Sequence, residues 1–220
     1  VPVIASGGAG TARHVADALA TVVADLKPAA IKTGMLATDS VVDAVVSVLG
    51  AAPIPLLVVD PVRRSSSGAV LLDDGGWRAL GERLVPLATL VTPNRAEAEE
   101  LAAMAISTED DAVRAARRIA ERGCKAVLVK GGHGPGAQAT DLLFDAVTGR
   151  VERFEAPRVP GDFHGTGCVL SAAITALLAR GLSLVDAVAR AKEHVSRALA
   201  TAEPLGRGRR ILRIQPDATD

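Results

Sequence analysis

Apolar residues along the 220-residue chain follow two spacings. In VADALATVVADL (15–26) they recur every three or four residues, the stripe of an amphipathic helix, and TDSVVDAVVSVL (38–49) repeats it. Between these, AAIK (29–32) reads as a short strand. PLLVVDP (55–61) is an unbroken apolar strand stopped by Pro61, and ATLVTP (88–93) is another stopped by Pro93. The spacing predicts further helices over 73–84, around Trp77, Leu80 and Leu84, and over 95–104, 109–121, 168–180 and 184–201. Start signals accompany them: Thr38 or Asp39, Thr108 with Asp111 three residues on, and Ser183 with Asp186 three residues on. AVLVKGG (126–132) is a strand running into glycines. DLLFDAVTGRVERFEAPR (141–158) differs, because two alternating stretches flank a turn at Thr148 and Gly149, which predicts a β-hairpin. In the tail, RRILRI is a candidate final strand and PDATD reads as loose.

Helices alternating with nearly unbroken apolar strands imply an α/β domain with a mostly parallel sheet covered on both faces. Ligands of such sheets gather outside the carboxyl ends of the strands. Asp60, Asn94, Lys130 and the 165–168 turn all follow strands or strand-like segments, so one end of the sheet is expected to collect them. With 49% hydrophobic residues, the chain has material for one substantial core and a single domain over 1–220.

Composition narrows the function. Lys plus Arg (25) equals Asp plus Glu (25), so no general attraction to nucleic acid or to an acidic membrane is expected. No apolar run reaches membrane-spanning length, and VPVIASGGAG lacks the basic and long apolar parts of an export signal, so a cytoplasmic protein is expected. The two cysteines, Cys124 and Cys168, make no disulfide scaffold, and four scattered histidines without a CxxC or HxxxH spacing give no zinc site. Cys124, just before the strand at 126, reads as a small buried side chain.

The stretch FHGTGCVLSAAI (163–174) carries the strongest chemical signal. It is neither a dinucleotide fingerprint nor a Walker A sequence. Gly165 and Gly167 can turn successive N–H groups to one point, and the apolar run behind them makes that point a helix N-terminus, which favours an anion. Thr166 lies between them and Cys168 sits in the first helical turn. There the field of the helix is expected to lower the thiol pKa, so that Cys168 can accept a proton beside a moving phosphoryl group. The bland reading is an inward-packed cysteine behind an ordinary turn.

Other residues carry paired readings. Asn94 and Glu97 can hold a hydrated magnesium ion at a strand-to-helix junction, or simply cap the helix. Asp60 can help position magnesium, or bond the loop amides that follow it. Lys130, with Gly131 and Gly132 after it, is placed to reach nucleotide phosphates. His133 is either a ligand neighbour or surface. Lys32 and Met35 are compatible with a substrate pocket, and Met35 equally with core filling. Arg63 and Arg64 either cover a phosphate-rich ligand or lie on the surface.

Taken together, DLKPAAIKTGML (25–36), VVDPV with SSGAVLL, LATLVTPNRAEAEEL (87–101), AVLVKGGH (126–133), the hairpin and FHGTGCVLSAAITALLARG (163–181) resemble the ribokinase-like superfamily. Within it the nearest resemblance is to the hydroxymethylpyrimidine/phosphomethylpyrimidine kinases of thiamine biosynthesis. The resemblance implies a three-layer sandwich, with the central sheet between helices, and ATP- and Mg2+-dependent phosphorylation of 4-amino-5-hydroxymethyl-2-methylpyrimidine and then of its monophosphate. It implies Cys168 as base, the 165–168 turn as anion hole, Asn94 and Glu97 near the metal, and Lys130 near the phosphates; Asp60 is expected to join the metal set, and Gly131 and Gly132 the nucleotide contacts, from their places after the strands. Met35, with Gly7 and Gly8 of SGGAG, would line the pyrimidine pocket, and a homodimer is the expected assembly. Two alternatives stay open: a vitamin B6 kinase of pyridoxal type, and a non-enzymatic pyrimidine- or nucleotide-binding regulatory domain. Against the family pattern, tens of residues are missing between Gly10 and Thr11, by omission or by deletion. A genuine deletion would remove part of the pocket and its covering flap.

Overall fold

The computed structural model describes residues 9–51, 56–65, 68–131, 136–203 and 210–212. The chain opens with helix α1 (Ala9–Leu26), strand β1 (Ile31–Thr33), α2 (Asp39–Ala51), β2 (Leu57–Val59) and the short α3 (Asp74–Ala79). Next come β3 (Leu90–Val91), α4 (Arg95–Ala102), α5 (Glu109–Ala120), β4 (Ala126–Val129) and the hairpin β5 (Gln138–Asp145) and β6 (Val151–Pro157). β7 (Phe163–His164), α6 (Thr166–Ala179), α7 (Leu184–Ala200) and β8 (Arg210–Ile211) complete it.

β1 to β6 form one sheet in chain order, with β1 to β4 mutually parallel and β5 and β6 added antiparallel. Side chains of consecutive strand residues leave on opposite faces, and both faces here are apolar. Leu57, Val59, Val91, Val127, Val129, Leu142 and Phe144 pack with residues of α1, α2, α4 and α5. Val58, Leu90, Ala126, Leu128 and Leu143 pack with α6 and α7. This double coverage is why the parallel strands read as continuous apolar runs. Each fully buried Val or Leu contributes about 1.5–3 kcal/mol of transfer free energy. The architecture is the ribokinase-like sandwich that the resemblance implies.

The expected caps form. Thr108 accepts from Asp111 N–H while Asp111 bonds back to Thr108 N–H, and Ser183 accepts from Asp186 N–H. The hairpin turns at Gly149, whose φ of 72° a side chain would resist. The helix expected over 73–84 is divided instead: α3 passes into a wide turn over Leu80–Leu84, closed by Val85 N–H on Leu80 O, and then a tight turn over Val85–Leu87. Pro86 has no N–H for the helical ladder, so regular helix cannot continue through it. The candidate tail strand forms at Arg210–Ile211, where it pairs with Phe163–His164 in a separate two-stranded ribbon and not with the main sheet. α1 runs unbroken through Gly10 and Thr11, six residues ahead of its expected start at 15.

Candidate active site

The strand register decides which polar side chains meet. Lys32 is paired with Val58, and Val58 with Leu90, all on the α6-facing side. Asp60, Thr92 and Lys130 each lie two residues beyond an α6-facing apolar residue (Val58, Leu90 and Leu128), so all three emerge toward α6 at the carboxyl end of the sheet. A slip of one residue would send them to the other face.

Asp60 is the centre of the resulting network and is only 2% exposed. Its Oδ1 accepts from Lys130 Nζ at 2.8 Å and from Thr92 Oγ1 at 3.2 Å. Its Oδ2 accepts from Ser171 Oγ of α6 at 3.0 Å and faces Lys32 Nζ at 3.9 Å. Ser171 also stands 3.1 Å from the Cys168 carbonyl, so its single hydroxyl hydrogen is shared between sheet and helix. Burial works against the charge of Lys130, but Asp60 and Glu97 outweigh it and hold the ammonium above the ordinary lysine range. Thr92 and Ser171 were not expected at the site; the available signal was a hydroxyl inside an otherwise apolar run.

Gly165 precedes α6 with φ 82° and ψ 7°, a left-handed conformation suited to glycine, and supplies no side-chain cap. The amides of Thr166, Gly167 and Cys168 therefore begin the helix without intrahelical acceptors. A Cβ on Gly167 would stand 3.2 Å from Lys130 Nζ, so the missing side chain lets the lysine lie against the helix start. Cys168 is exposed and Cys124 is buried. The inward-packed reading of Cys168 is thus corrected, while the buried Cys124, its thiol pushed up to about 11 by burial, fits the sequence reading.

The expected lowering of the Cys168 thiol pKa is also corrected. The surrounding protein restricts water around the sulfur even though the residue is exposed, and this desolvation, followed by the Asp60 and Glu97 charges, outweighs Lys32 and Lys130 and raises it. Thiolate is then scarcer at neutral pH than in a free cysteine and grows as pH climbs through the raised value. Iodoacetamide alkylation of Cys168, followed by mass spectrometry, is expected to lag a cysteine peptide near neutrality and accelerate well into the alkaline range. A rate at or above that of the peptide at neutral pH would contradict this direction.

Asn94 and Glu97 form a complete capping box at the start of α4: Asn94 Oδ1 accepts Glu97 N–H at 3.0 Å and Glu97 Oε2 accepts Asn94 N–H at 2.8 Å. Glu97 is 5% exposed, and its carboxyl is raised mainly by burial, against the pull of Lys130 and the Asn94 amide. Among the described residues no cluster of three or more His, Cys, Asp or Glu side chains could hold a metal ion. With Asp60 engaged by four side chains, the described residues form no inner-sphere cage. Magnesium, however, usually keeps several waters and takes one or two carboxylates with substrate phosphates. The donor set fits that outer-sphere role.

Gly131 is tied to the neighbouring strand. Its amide donates to Asp141 Oδ1 at 2.8 Å, and an added Cβ would lie 1.8 Å from the Thr140 carbonyl oxygen, so glycine is required there by the neighbouring strand. Arg63 is no loose ligand clamp. Its guanidinium bonds the Leu72 and Asp73 carbonyls at 2.7 and 2.9 Å, Asp74 at 2.5 Å and Glu100 at 3.2 Å, and lies over Trp77. Met35 is 49% exposed just beyond β1, which replaces the core-filler reading with an open position. Gly7, Gly8, Gly132 and His133 lie outside the described residues.

The family model for phosphomethylpyrimidine kinase matches residues 9–213. The thiamine biosynthesis bifunctional protein ThiED of Geobacter sulfurreducens is 43% identical over 195 residues, which are 88% of this chain and 39% of that protein. The hydroxymethylpyrimidine/phosphomethylpyrimidine kinase of Synechococcus elongatus is 41% identical over 88% of this chain and 73% of its own length. In solved structures, an ADP complex of Bacillus subtilis pyridoxal kinase superposes with a TM-score of 0.76 and 32% identity, covering 84% of this chain and 69% of that one. With a match spanning nearly its whole length, the chain belongs to the phosphomethylpyrimidine kinase family.

Proposed function

We propose that this chain catalyses ATP-dependent phosphoryl transfer to the hydroxymethyl group of 4-amino-5-hydroxymethyl-2-methylpyrimidine and then to the resulting monophosphate. Family membership makes it a kinase, which leaves the non-enzymatic reading without support. The observation that carries the mechanism is the meeting of an exposed Cys168, the uncapped start of α6 and Lys130 at one point of the sheet edge.

In the first transfer the substrate hydroxyl oxygen forms a bond to the γ-phosphorus, the bond to the β–γ bridging oxygen breaks, and its electron pair leaves with ADP. The hydroxyl proton passes to the Cys168 thiolate. The first amides of α6 and the Lys130 ammonium face the oxygens over which charge spreads, where fixed donors stabilise a transition state more than water does. Asp60 keeps Lys130 charged and aimed. Glu97 and Asp60 are the carboxylates that would hold the water shell of nucleotide-bound magnesium, which neutralises phosphate charge when present. Met35 lines the acceptor side. Assembly as a homodimer is proposed from the prevalence of two-fold pairing alone. Among the described residues no helix is long and apolar enough to cross a membrane.

A second reading, phosphorylation of pyridoxal, is favoured by the structural likeness to a pyridoxal kinase. Parallel turnover assays with ATP distinguish the two. Faster kcat/KM on hydroxymethylpyrimidine is expected; a strong preference for pyridoxal would replace the proposed substrate.

A further inference from the structure

Behind the site, α7 presents a lysine on its apolar face. Ala187, Val188, Ala191, Val195 and Ala198 form the buried stripe, and Lys192 sits within it. Its Nζ donates to Asp141 Oδ2 of β5 at 2.7 Å, and the two side chains are only 10% and 6% exposed. The remaining oxygen, Asp141 Oδ1, accepts the Gly131 amide at 2.8 Å. Gly131 is the residue after Lys130, whose own amide is tied to the Pro93 carbonyl at 2.8 Å. The backbone on both sides of the Lys130 Cα is therefore pinned, once from β3's exit and once from a buried carboxylate.

A buried ion pair is a weak source of stability, because apolar residues of similar volume are often as good or better. Its location beside the turn that carries the phosphate-facing ammonium therefore calls for another reason. We propose that Asp141 is a positioning residue: its Oδ1 fixes the Gly131 amide, Lys192 neutralises the carboxylate so that it can stand buried there, and the pinned turn holds Lys130 between Asp60 and the start of α6. The catalytic consequence rests on the phosphoryl-transfer reading, whereas the placement of Lys130 does not.

Two double variants test this. Asp141→Val with Lys192→Met removes both charges and the acceptor for Gly131, while Asp141→Asn with Lys192→Met removes the charges and keeps an acceptor. The first is expected to acetylate at Lys130 severalfold faster with an amine-reactive ester, read by mass spectrometry, and to lose roughly 10–100-fold in kcat, the scale of small misplacements in an active site. Its KM for hydroxymethylpyrimidine and its thermal midpoint are expected to stay near those of the unaltered chain. The second variant is expected to restore both the labelling rate and most of the kcat. Unchanged labelling in the first variant overturns the proposal, as does equal damage in the second. Should the first fail to fold, Asp141→Ala with Lys192→Met, which likewise lacks the acceptor, takes its place: faster Lys130 labelling than in the second variant supports the proposal and equal labelling overturns it. If the unaltered chain turns over no pyrimidine, the functional reading fails while the labelling result still judges the positioning.

Discussion

Replacing Cys168 with alanine is expected to lower kcat for hydroxymethylpyrimidine by roughly 10²–10⁴-fold, the usual scale of acid–base assistance. ADP affinity, measured by calorimetry, is expected to stay close to that of the unaltered chain. The amides of Thr166 and Gly167 and the Lys130 ammonium survive the substitution, so the anion-binding part of the site persists while the proton acceptor is lost. The raised thiol adds a second signature. Because thiolate increases with pH, kcat/KM of the unaltered chain is expected to climb through and above the neutral range, and the alanine variant should lose that climb. A near-normal kcat in Cys168→Ala, with its pH dependence intact, would remove the thiol from proton transfer.

The second large effect concerns Asp60. Asp60→Asn leaves the Lys130 ammonium, 12% exposed, without its full counter-charge, and breaking a buried pair in this way costs about 3–5 kcal/mol. Urea unfolding at neutral pH should show the loss as a lower midpoint. The pH dependence follows from Lys130: its folded pKa stands above the ordinary lysine value despite burial, chiefly because of the Asp60 charge. The pair's contribution is therefore fully present below the ordinary lysine pKa and fades as pH rises through the raised one. The difference in midpoint between the two proteins should accordingly shrink in strongly alkaline urea. An unchanged midpoint at neutral pH would contradict the stabilising role given to the Lys130–Asp60 pair. Activity should fall too, since Lys130 would no longer be aimed at the start of α6.

Much of the fold was legible because its causes are local. Apolar spacing marked the helices and strands, Thr108 with Asp111 and Ser183 with Asp186 marked helix starts, and Thr148–Gly149 marked the hairpin turn. The Gly-Thr-Gly-Cys turn also announced a helix N-terminus, because glycine placement and the following apolar run are written side by side. Expectations failed where a neighbour distant in sequence acts. Arg63 is consumed by carbonyls near residue 72 and by Glu100, and the Cys168 thiol is shifted by the charges of Asp60 and Glu97.

By itself, then, the sequence determined the order of elements, the two-faced sheet and the glycine-led start of α6, since periodicities of two and of about 3.6 are properties of the chain within a few residues. Tertiary structure alone decided that Lys32, Asp60, Thr92 and Lys130 share the face that meets Ser171, because that outcome depends on the pairing register of separate strands. It also reversed the direction of the Cys168 thiol. A helix-terminal position favours thiolate, but desolvation and the fields of Asp60 and Glu97 act through space, at distances that only the folded chain sets.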